Sequence, residues 1–543
     1  MLEQNRFLKT SSWVFSLLLV LPILAIFYTA LGDSDDVFGH LMATVMGTYT
    51  LNTALLVVGT VFLALVMGIP SAWLMARYTL PGDRWLQWAL VLPLAMPGYI
   101  VGYIYTDWFD FAGPIQILLR DLTGWTSAAQ YWFPDLRTLP GACFVLALVL
   151  YPYVYLLARA SFMEQSTTLT QSARLLGCSP MQAFWRVSLP LARPAIAVGA
   201  SLVAMEALGD FGTVSYFAVS TLTTAVYDTW LGYSNLNAAA KISAIMLMVI
   251  FLLISSERYS RRKQKLFSQN AAADKVTKLE LRGKAKWLAA IWCWGLFVIA
   301  FAAPLGQLLI YAWGYHSDSS ITDFAQYSFN SLYVSAIAAV VAVLVAMLVN
   351  FYRRNIGSAA SNVPLRMASL GYAVPGTVLA IGVLIFLTSA DHLINDVAKE
   401  MGWGRPGLIF SGTMFAMLTA FVVRFSAVAI GSIESSLAKV SPSLDMAART
   451  MGCNVKDMIK RVQLPLIRRG CLIAMLLVFI ESMKELNAAL LLRPFNFETL
   501  ATYVFNYASD EHLEYAAMPA VLLVLVGLIP LILINRSLEQ SHS

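Results

Sequence analysis

One stretch of 23 residues occurs twice in this chain, each time between long apolar runs: LTQSARLLGCSPMQAFWRVSLPL at Leu169–Leu191 and LDMAARTMGCNVKDMIKRVQLPL at Leu444–Leu466. Ala173 pairs with Ala448, Gly177 with Gly452, Cys178 with Cys453, Arg186 with Arg461, and Leu189-Pro190 with Leu464-Pro465, always 275 positions apart. Each copy is polar and basic. Each reads as a short helix, a turn at Gly, a second short helix, and a Leu-Pro that opens the next apolar run. Glycine permits the reversal, and proline opens a helix because its missing N–H is not needed there. A chain that repeats such a hairpin, once in each half, presents it to a partner.

The runs on either side are too long for a soluble core. They lie at roughly 13–31, 51–76, 86–106, 141–162, 195–217, 237–256, 287–311, 330–352, 367–389, 408–432, 470–492 and 516–535. With 59% hydrophobic and 13% charged residues and a mean hydropathy of +0.68, the composition agrees with a polytopic membrane protein. The runs are continuous rather than alternating, which excludes a closed barrel. The expectation is an all-α membrane protein of about twelve spans.

Charge sets the orientation. Arg77, Arg84, Arg174, Arg193, Arg353, Arg354, Arg366, Lys456, Lys460, Arg468 and Arg469 fall in loops on one side, with both repeated hairpins. Asp107, Asp110, Asp318, Asp323, Asp391, Asp396, Asp510 and Glu511 fall in loops on the other. The basic side is cytoplasmic by the positive-inside bias, and it takes the N-terminus and the C-terminal tail with it. Residues 257–286, rich in Lys and Arg, read as a cytoplasmic linker against anionic headgroups rather than a nucleic-acid site.

The duplication extends past the hairpins. Asn52-Thr53 matches Asn330-Ser331, and Pro97-Gly98 matches Pro375-Gly376, both 278 positions on. Equivalent spans are separated by six crossings, an even number, so the repeat is parallel. The division is a first half at 1–256 with its hairpin loop at 163–194, the linker at 257–286, and a second half at 287–543 with its loop at 434–469.

Charged side chains inside the apolar runs are expensive and rarely face lipid. Glu206 and Asp210 in the first half match Glu481 and Glu485 in the second, again 275 apart, each pair spaced i, i+4 on one helix face. They either face a pathway or form internal pairs. Arg424 lies at a depth to neutralise Glu481, while the aligned position in the first half is Val149. Tyr99, Tyr103, Tyr105, Tyr151, Tyr153 and Tyr155 cluster about Pro97 and Pro152 and read as packing aromatics. The five His are scattered, so no stable metal site is expected, and the five Cys suggest no disulfide framework. The chain has no G-x4-GK[ST] phosphate cradle, so it binds no nucleotide cofactor by that route.

The paired hairpins resemble the coupling loop of ABC importer permeases, which carries an EAA-x3-G-x9-I-x-L-P pattern and docks on the ATPase. The Gly-to-Leu-Pro spacing holds in both copies, with Gln171-Ser172-Ala173 and Met446-Ala447-Ala448 in the EAA slots and Asp445 one position early. At larger scale, LPLAMPGYIVGYIYTD, LALVLYPYVYLLARA, MEALGDFGTVSYFAVSTLTTAVYDTW and LLLRPFNFETLATYVFNYASDE are similar to the fused, two-halved permeases of ferric-iron ABC importers. The resemblance implies a type I importer fold in a bacterial inner membrane. It also implies a periplasmic ferric-binding protein outside and a homodimeric ATPase inside that carries the ATP and Mg2+. Ala173, Gly177, Leu189, Pro190, Ala448, Gly452, Leu464 and Pro465 would then face the ATPase, and Glu206, Asp210, Glu481 and Glu485 the substrate. Such a chain is a transport subunit rather than an enzyme. A thiamine or other small-solute permease is the alternative within the class. A secondary cation transporter explains the carboxylates but not the paired loops, and a channel explains neither.

The topology is testable in intact cells. In a background without native Cys, Asn270→Cys and Gln540→Cys should both resist a membrane-impermeant thiol reagent, and labelling at either position refutes the twelve-span arrangement.

Overall fold

The apolar runs fold as helices, the form that satisfies backbone N–H and C=O groups where no water reaches them. The computed structural model describes residues 2–34, 36–165, 172, 175–262, 278–281, 283–315, 321–357 and 359–542. Ala173, Arg174, His316, Asp318 and linker residues 263–277 and 282 lie outside the described residues.

Among the described residues ten helices are long and apolar enough to cross a bilayer, or eleven if one bent pair is a single span. The twelve-span expectation departs at one place. The run at 86–106 is that bent pair, Asp83–Ala95 and Gly98–Thr123, kinked by 95°. Its cause is local: Pro97 drives Met96 out of the helical region, to φ −100° and ψ 125°. The run at 516–535 falls, but for its first residue, within the helix Ala517–His542, as expected.

The chain forms two compact units, and each draws on both halves of the sequence. One comprises Met1–Val45, Leu222–Leu247 and Ser319–Asn506; the other comprises Met46–Thr221, Met248–Asp318 and Tyr507–Ser543. Each therefore holds the inner helices of one half together with outer helices of the other.

Within the second of these units, the helix Met46–Arg77 shows why the packing is tight. Leu56, Thr60, Ala64, Gly68, Ser71, Ala72 and Met75 are buried along one stripe, while Leu51, Leu55, Val58, Phe62 and Val66 stay exposed on the other face. Small residues let backbones approach, and large apolar ones meet lipid. A Cβ on Gly68 would stand 2.9 Å from the Val154 side chain, and one on Gly199 would stand 2.9 Å from the Val154 Cα. In the first unit, the N-terminal helix Leu2–Ala30 crosses Gly376–Glu400 so closely that a Cβ on Gly382 would run into the Pro22 carbonyl.

Two further details position the functional elements. Tyr78–Thr79 pairs in parallel with Leu279–Glu280, and Lys278 Nζ lies 2.6 Å from Asp83 Oδ2, so the end of the basic linker is clamped where the helix Met46–Arg77 stops. Asp391, expected in an outer loop, is fully buried within the helix Gly376–Glu400. Its carboxylate accepts hydrogen bonds from the Ile409, Phe410 and Ser411 N–H groups and from Ser411 Oγ at 2.7–3.1 Å, fixing the following loop.

Candidate functional site

From the glycine onward the repeated hairpins have matching geometry. Gly177 takes φ +86° and Gly452 φ +82°, and a Cβ at either would meet nothing within 4 Å. Backbone handedness, not crowding, is what calls for glycine at these turns. After the turn, Ser179 accepts from the Gln182 N–H at 3.2 Å, and at the equivalent place Asn454 accepts from the Asp457 N–H at 2.9 Å. Both are N-caps.

The elements that follow are also matched, but they differ from the expected short helix and fresh start. Pro180–Ala183 runs without a break through a π-turn at Phe184–Ser188 into the helix Leu189–Gly209. Val455–Met458 runs likewise through Ile459–Gln463 into Leu464–Lys484. Pro190 and Pro465 cannot donate to the preceding turn, and the wider π register absorbs the missing bond. Leu-Pro thus continues a helix that begins in the hairpin.

Both hairpins carry exposed apolar side chains. In the first, Leu175 is 89% exposed and Trp185 60%, with Leu176 and Met181 beside them in sequence; in the second, Met451 is 77% exposed, with Leu444 and Met446 also open. Ala448 by contrast is buried. The second hairpin is anchored by groups that spacing alone did not single out. Arg354 Nε lies 2.7 Å from Asp445 Oδ2 while its other nitrogens reach the carbonyls of Leu437 and Val440. Gln463 donates to Asp445 Oδ1 at 3.1 Å and shares hydrogen bonds with Asn355. The acidic residue that stands one position early therefore faces inward. In the first hairpin Gln165 has a comparable part, donating to the Ser188 carbonyl at 2.8 Å while Arg77 reaches its own carbonyl at 3.4 Å.

The membrane carboxylates divide differently from the i, i+4 expectation. The helix Leu189–Gly209 ends before Asp210, and Leu464–Lys484 ends before Glu485. Asp210 Oδ1 accepts from the Thr213 and Val214 N–H groups at 2.9 and 3.1 Å, capping the short helix Gly212–Tyr216. Glu485 Oε1 accepts from the Ala488 N–H at 3.1 Å, at the start of Asn487–Leu492. The second carboxylate of each pair thus sits at a helix break, not on a continuous face. Arg424, expected to neutralise Glu481, pairs instead with Glu485 at 3.3 Å, both largely buried. Glu481 lies 3.8 Å from Lys484 and keeps part of its side chain exposed. Glu206 is half-buried.

Both Pro-Gly motifs pack against these breaks. A Cβ on Gly98 would stand 2.5 Å from Thr213 Oγ1, and one on Gly376 would stand 2.6 Å from Glu485 Oε1 and 2.9 Å from Arg424 Nη1. The loops after the breaks are held alike: Asn52 Nδ2 donates to the Ser220 carbonyl and Asn330 Nδ2 to the Glu498 carbonyl, both at 3.0 Å. Of the tyrosines, Tyr105 donates to the Ile299 carbonyl at 2.6 Å and Tyr155 to that of Gln87 at 3.1 Å, as packing residues do.

Comparison with known proteins matches the sequence to transport subunits. A family model described as "Binding-protein-dependent transport system inner membrane component" matches residues 64–264 and again 338–541. The chain is 25% identical over 489 residues to the Fe(3+)-transport system permease protein FbpB 2 of Haemophilus influenzae, covering 89% of each chain. It is 32% identical over 213 residues to the molybdenum transport system permease protein ModB of Escherichia coli, 37% of this chain and 90% of that one. It is 27% identical over 264 residues to the sulfate transport system permease protein CysW of Synechocystis, 45% of this chain and 88% of that one.

The reassigned ion pair gives a direct test. Glu485→Gln removes the negative charge facing a buried guanidinium and should cost about 3–5 kcal/mol, whereas Glu481→Gln alters a partly exposed contact and should cost less than about 1 kcal/mol. Thermal melting of the detergent-purified variants should show this order, and the reverse order refutes the pairing.

Proposed function

The chain belongs to the binding-protein-dependent transport system inner membrane component family, and we propose that it is the transmembrane permease of an ATP-driven importer whose cargo is ferric iron. The cargo rests on the match, along 89% of both chains, to a permease named for Fe(3+) transport; the relatives named for molybdenum and sulfate match 37% and 45% of this chain. A periplasmic ferric-binding protein delivers the ion, and two copies of a cytosolic ATPase hold ATP and Mg2+ and grip the two hairpins. Each hairpin offers what a docking element needs. Its backbone is fixed by a cap and a glycine turn, and its outward face combines exposed apolar side chains with basic ones. The pair at Asp445 and Arg354 keeps the second hairpin in shape when no partner is bound.

Inside the membrane the four carboxylates take separate tasks. Asp210 and Glu485 hold the helix breaks. Glu206 and Glu481 each offer a carboxylate on the half-exposed surface of its unit, and hard oxygen donors suit Fe3+. Conduction needs release as well as capture, so the contacts are transient.

Two experiments test this. Gly452→Glu forces a residue with a Cβ to φ +82°, costing about 1–2 kcal/mol in the fold, but places a charged side chain on the docking face. Co-purification of the ATPase should fall sharply while the permease itself still inserts; undiminished co-purification and uptake remove the hairpin from coupling. The double variant Glu206→Gln and Glu481→Gln should cut binding-protein-dependent iron uptake about tenfold or more, the scale on which like-charge focusing acts, with ATPase docking intact. Parental uptake in that variant, or uptake that persists without the ATPase, overturns the proposal.

A further inference from the structure

The end of the linker reaches the first hairpin through the elements it is clamped to, all within the unit built from Met46–Thr221, Met248–Asp318 and Tyr507–Ser543. Leu279–Glu280 pairs in parallel with Tyr78–Thr79, with Tyr78 opposite Leu279. Two routes lead on from there. The first is aromatic: the Tyr78 ring meets Trp73 edge-on at 5.1 Å between centroids, and Trp73 lies 4.8 Å from Phe184. Phe184 opens the π-turn of the hairpin and is buried. Trp185, packed against it at 5.3 Å, is one of the hairpin's exposed apolar side chains. The second route is polar. Arg77, the residue before the strand, is buried, and its Nη2 donates to the Gln165 carbonyl and to Gln165 Oε1, both at 3.4 Å. Gln165 in turn donates to the carbonyl of Ser188, the last residue of the same π-turn.

The second hairpin is held without such a strand. The helix equivalent to Met46–Arg77 is Ile321–Ile356, and the position 278 residues beyond Arg77 is Asn355. Asn355 shares hydrogen bonds directly with Gln463, which ends the π-turn there and stands 275 residues beyond Ser188. Arg354, beside it, holds Asp445. Among the described residues the one sheet is the linker pairing at Tyr78–Thr79. The helix that bears on the second hairpin thus meets it with its own side chains, whereas the one that bears on the first continues into a strand held by the linker. A two-residue ladder is marginal by itself. Its closure leans on the Lys278–Asp83 ion pair, in which both side chains are only 24% exposed.

We propose that the linker end is a brace for the first hairpin: residues 278–280 set the π-turn at Phe184–Ser188 in position for the ATPase, with Lys278 and Asp83 as the positioning residues. The ladder is small beside the helix packing of its unit, so opening it releases the hairpin and leaves the membrane part folded. Coupling is then unequal. One hairpin is set by its own half, the other by the segment that joins the halves. The brace stands on these contacts, and only its consequence for coupling rests on the hairpins being ATPase-docking elements.

Cys178 and Cys453 occupy matching places just after the two glycine turns, and both are partly exposed. In the full-length permease in nanodiscs, with only one of the five cysteines kept, a nitroxide on Cys178 reports on the first hairpin and one on Cys453 on the second. Lys278→Asp sets two carboxylates face to face. It should sharpen the Cys178 spectrum, the mark of a more mobile label, and leave the Cys453 spectrum and the thermal melting of the protein unchanged. Lys278→Ala removes the contact without repulsion and should give the same change to a smaller degree. Adding Asp83→Lys to Lys278→Asp restores an ion pair with its charges exchanged and should return the Cys178 spectrum to the parental one. A Cys178 spectrum indifferent to both Lys278 variants, or a Cys453 spectrum that changes equally, overturns the brace. The ATPase reads the consequence: its protection of Cys178 from maleimide should fall about fivefold in Lys278→Asp, with protection of Cys453 kept. If the ATPase protects neither cysteine in the parent protein, the docking reading fails, and the spectra still decide the brace.

Discussion

The structure depends on two places where a helix must stop inside an apolar environment. Backbone groups freed by a break have no water to turn to, and each one left unsatisfied costs several kcal/mol. The chain meets this at Asp210 and Glu485, whose carboxylates accept the N–H groups of the next short helix. Everything nearby follows from housing those two charges. Gly98 and Gly376 lack side chains because Thr213, in one unit, and Glu485 with Arg424, in the other, fill the space. Asn52 and Asn330 then hold the returning loops at the same distance in both units.

The duplication makes these constraints visible twice, and the differences between copies are as informative as the matches. One break is capped by Asp210, whose carboxylate also accepts from the Thr213 hydroxyl; the other uses a longer Glu that also meets a guanidinium. Val149 stands where the second copy has Arg424. One half carries a guanidinium that the other lacks, and both keep the turn. The same holds for the hairpins, where glycine, cap, π-turn and proline recur while the anchoring groups differ: Arg354, Asp445 and Gln463 in one, Gln165 and Arg77 in the other.

Much of this was legible in the sequence. Long apolar runs and a strict 275-residue offset predict the helices and the paired hairpins. The partner of Arg424 was not legible, for a definite reason. Spacing places Glu481 and Glu485 on one face only if the helix continues, and the chain turns out of the helix after Lys484. That turn brings Glu485 to the guanidinium. The π-turns escaped notice because proline at a helix start and proline after a π register share the same local pattern. Asp391 looked like an outer-loop charge because nothing in its neighbours announces that the loop at 409–411 folds back over it.

The composition of the two units has a consequence for how the protein is made. The first helix packs with residues 319–506, so its partners do not yet exist when it leaves the ribosome. At about 5–20 residues per second, roughly 15 to 55 s pass before residue 319 is even synthesised. Throughout that interval the helix waits in lipid with its contact face of Ser12, Ser16, Leu19, Val20, Ile23 and Ile26 open, available to any membrane chaperone or to a neighbouring chain. If the two halves were made as separate polypeptides, each would have to lend its outer helices to the other, and neither could complete a unit alone. Fusing them turns that mutual dependence into an intramolecular search, with the linker setting the effective concentration.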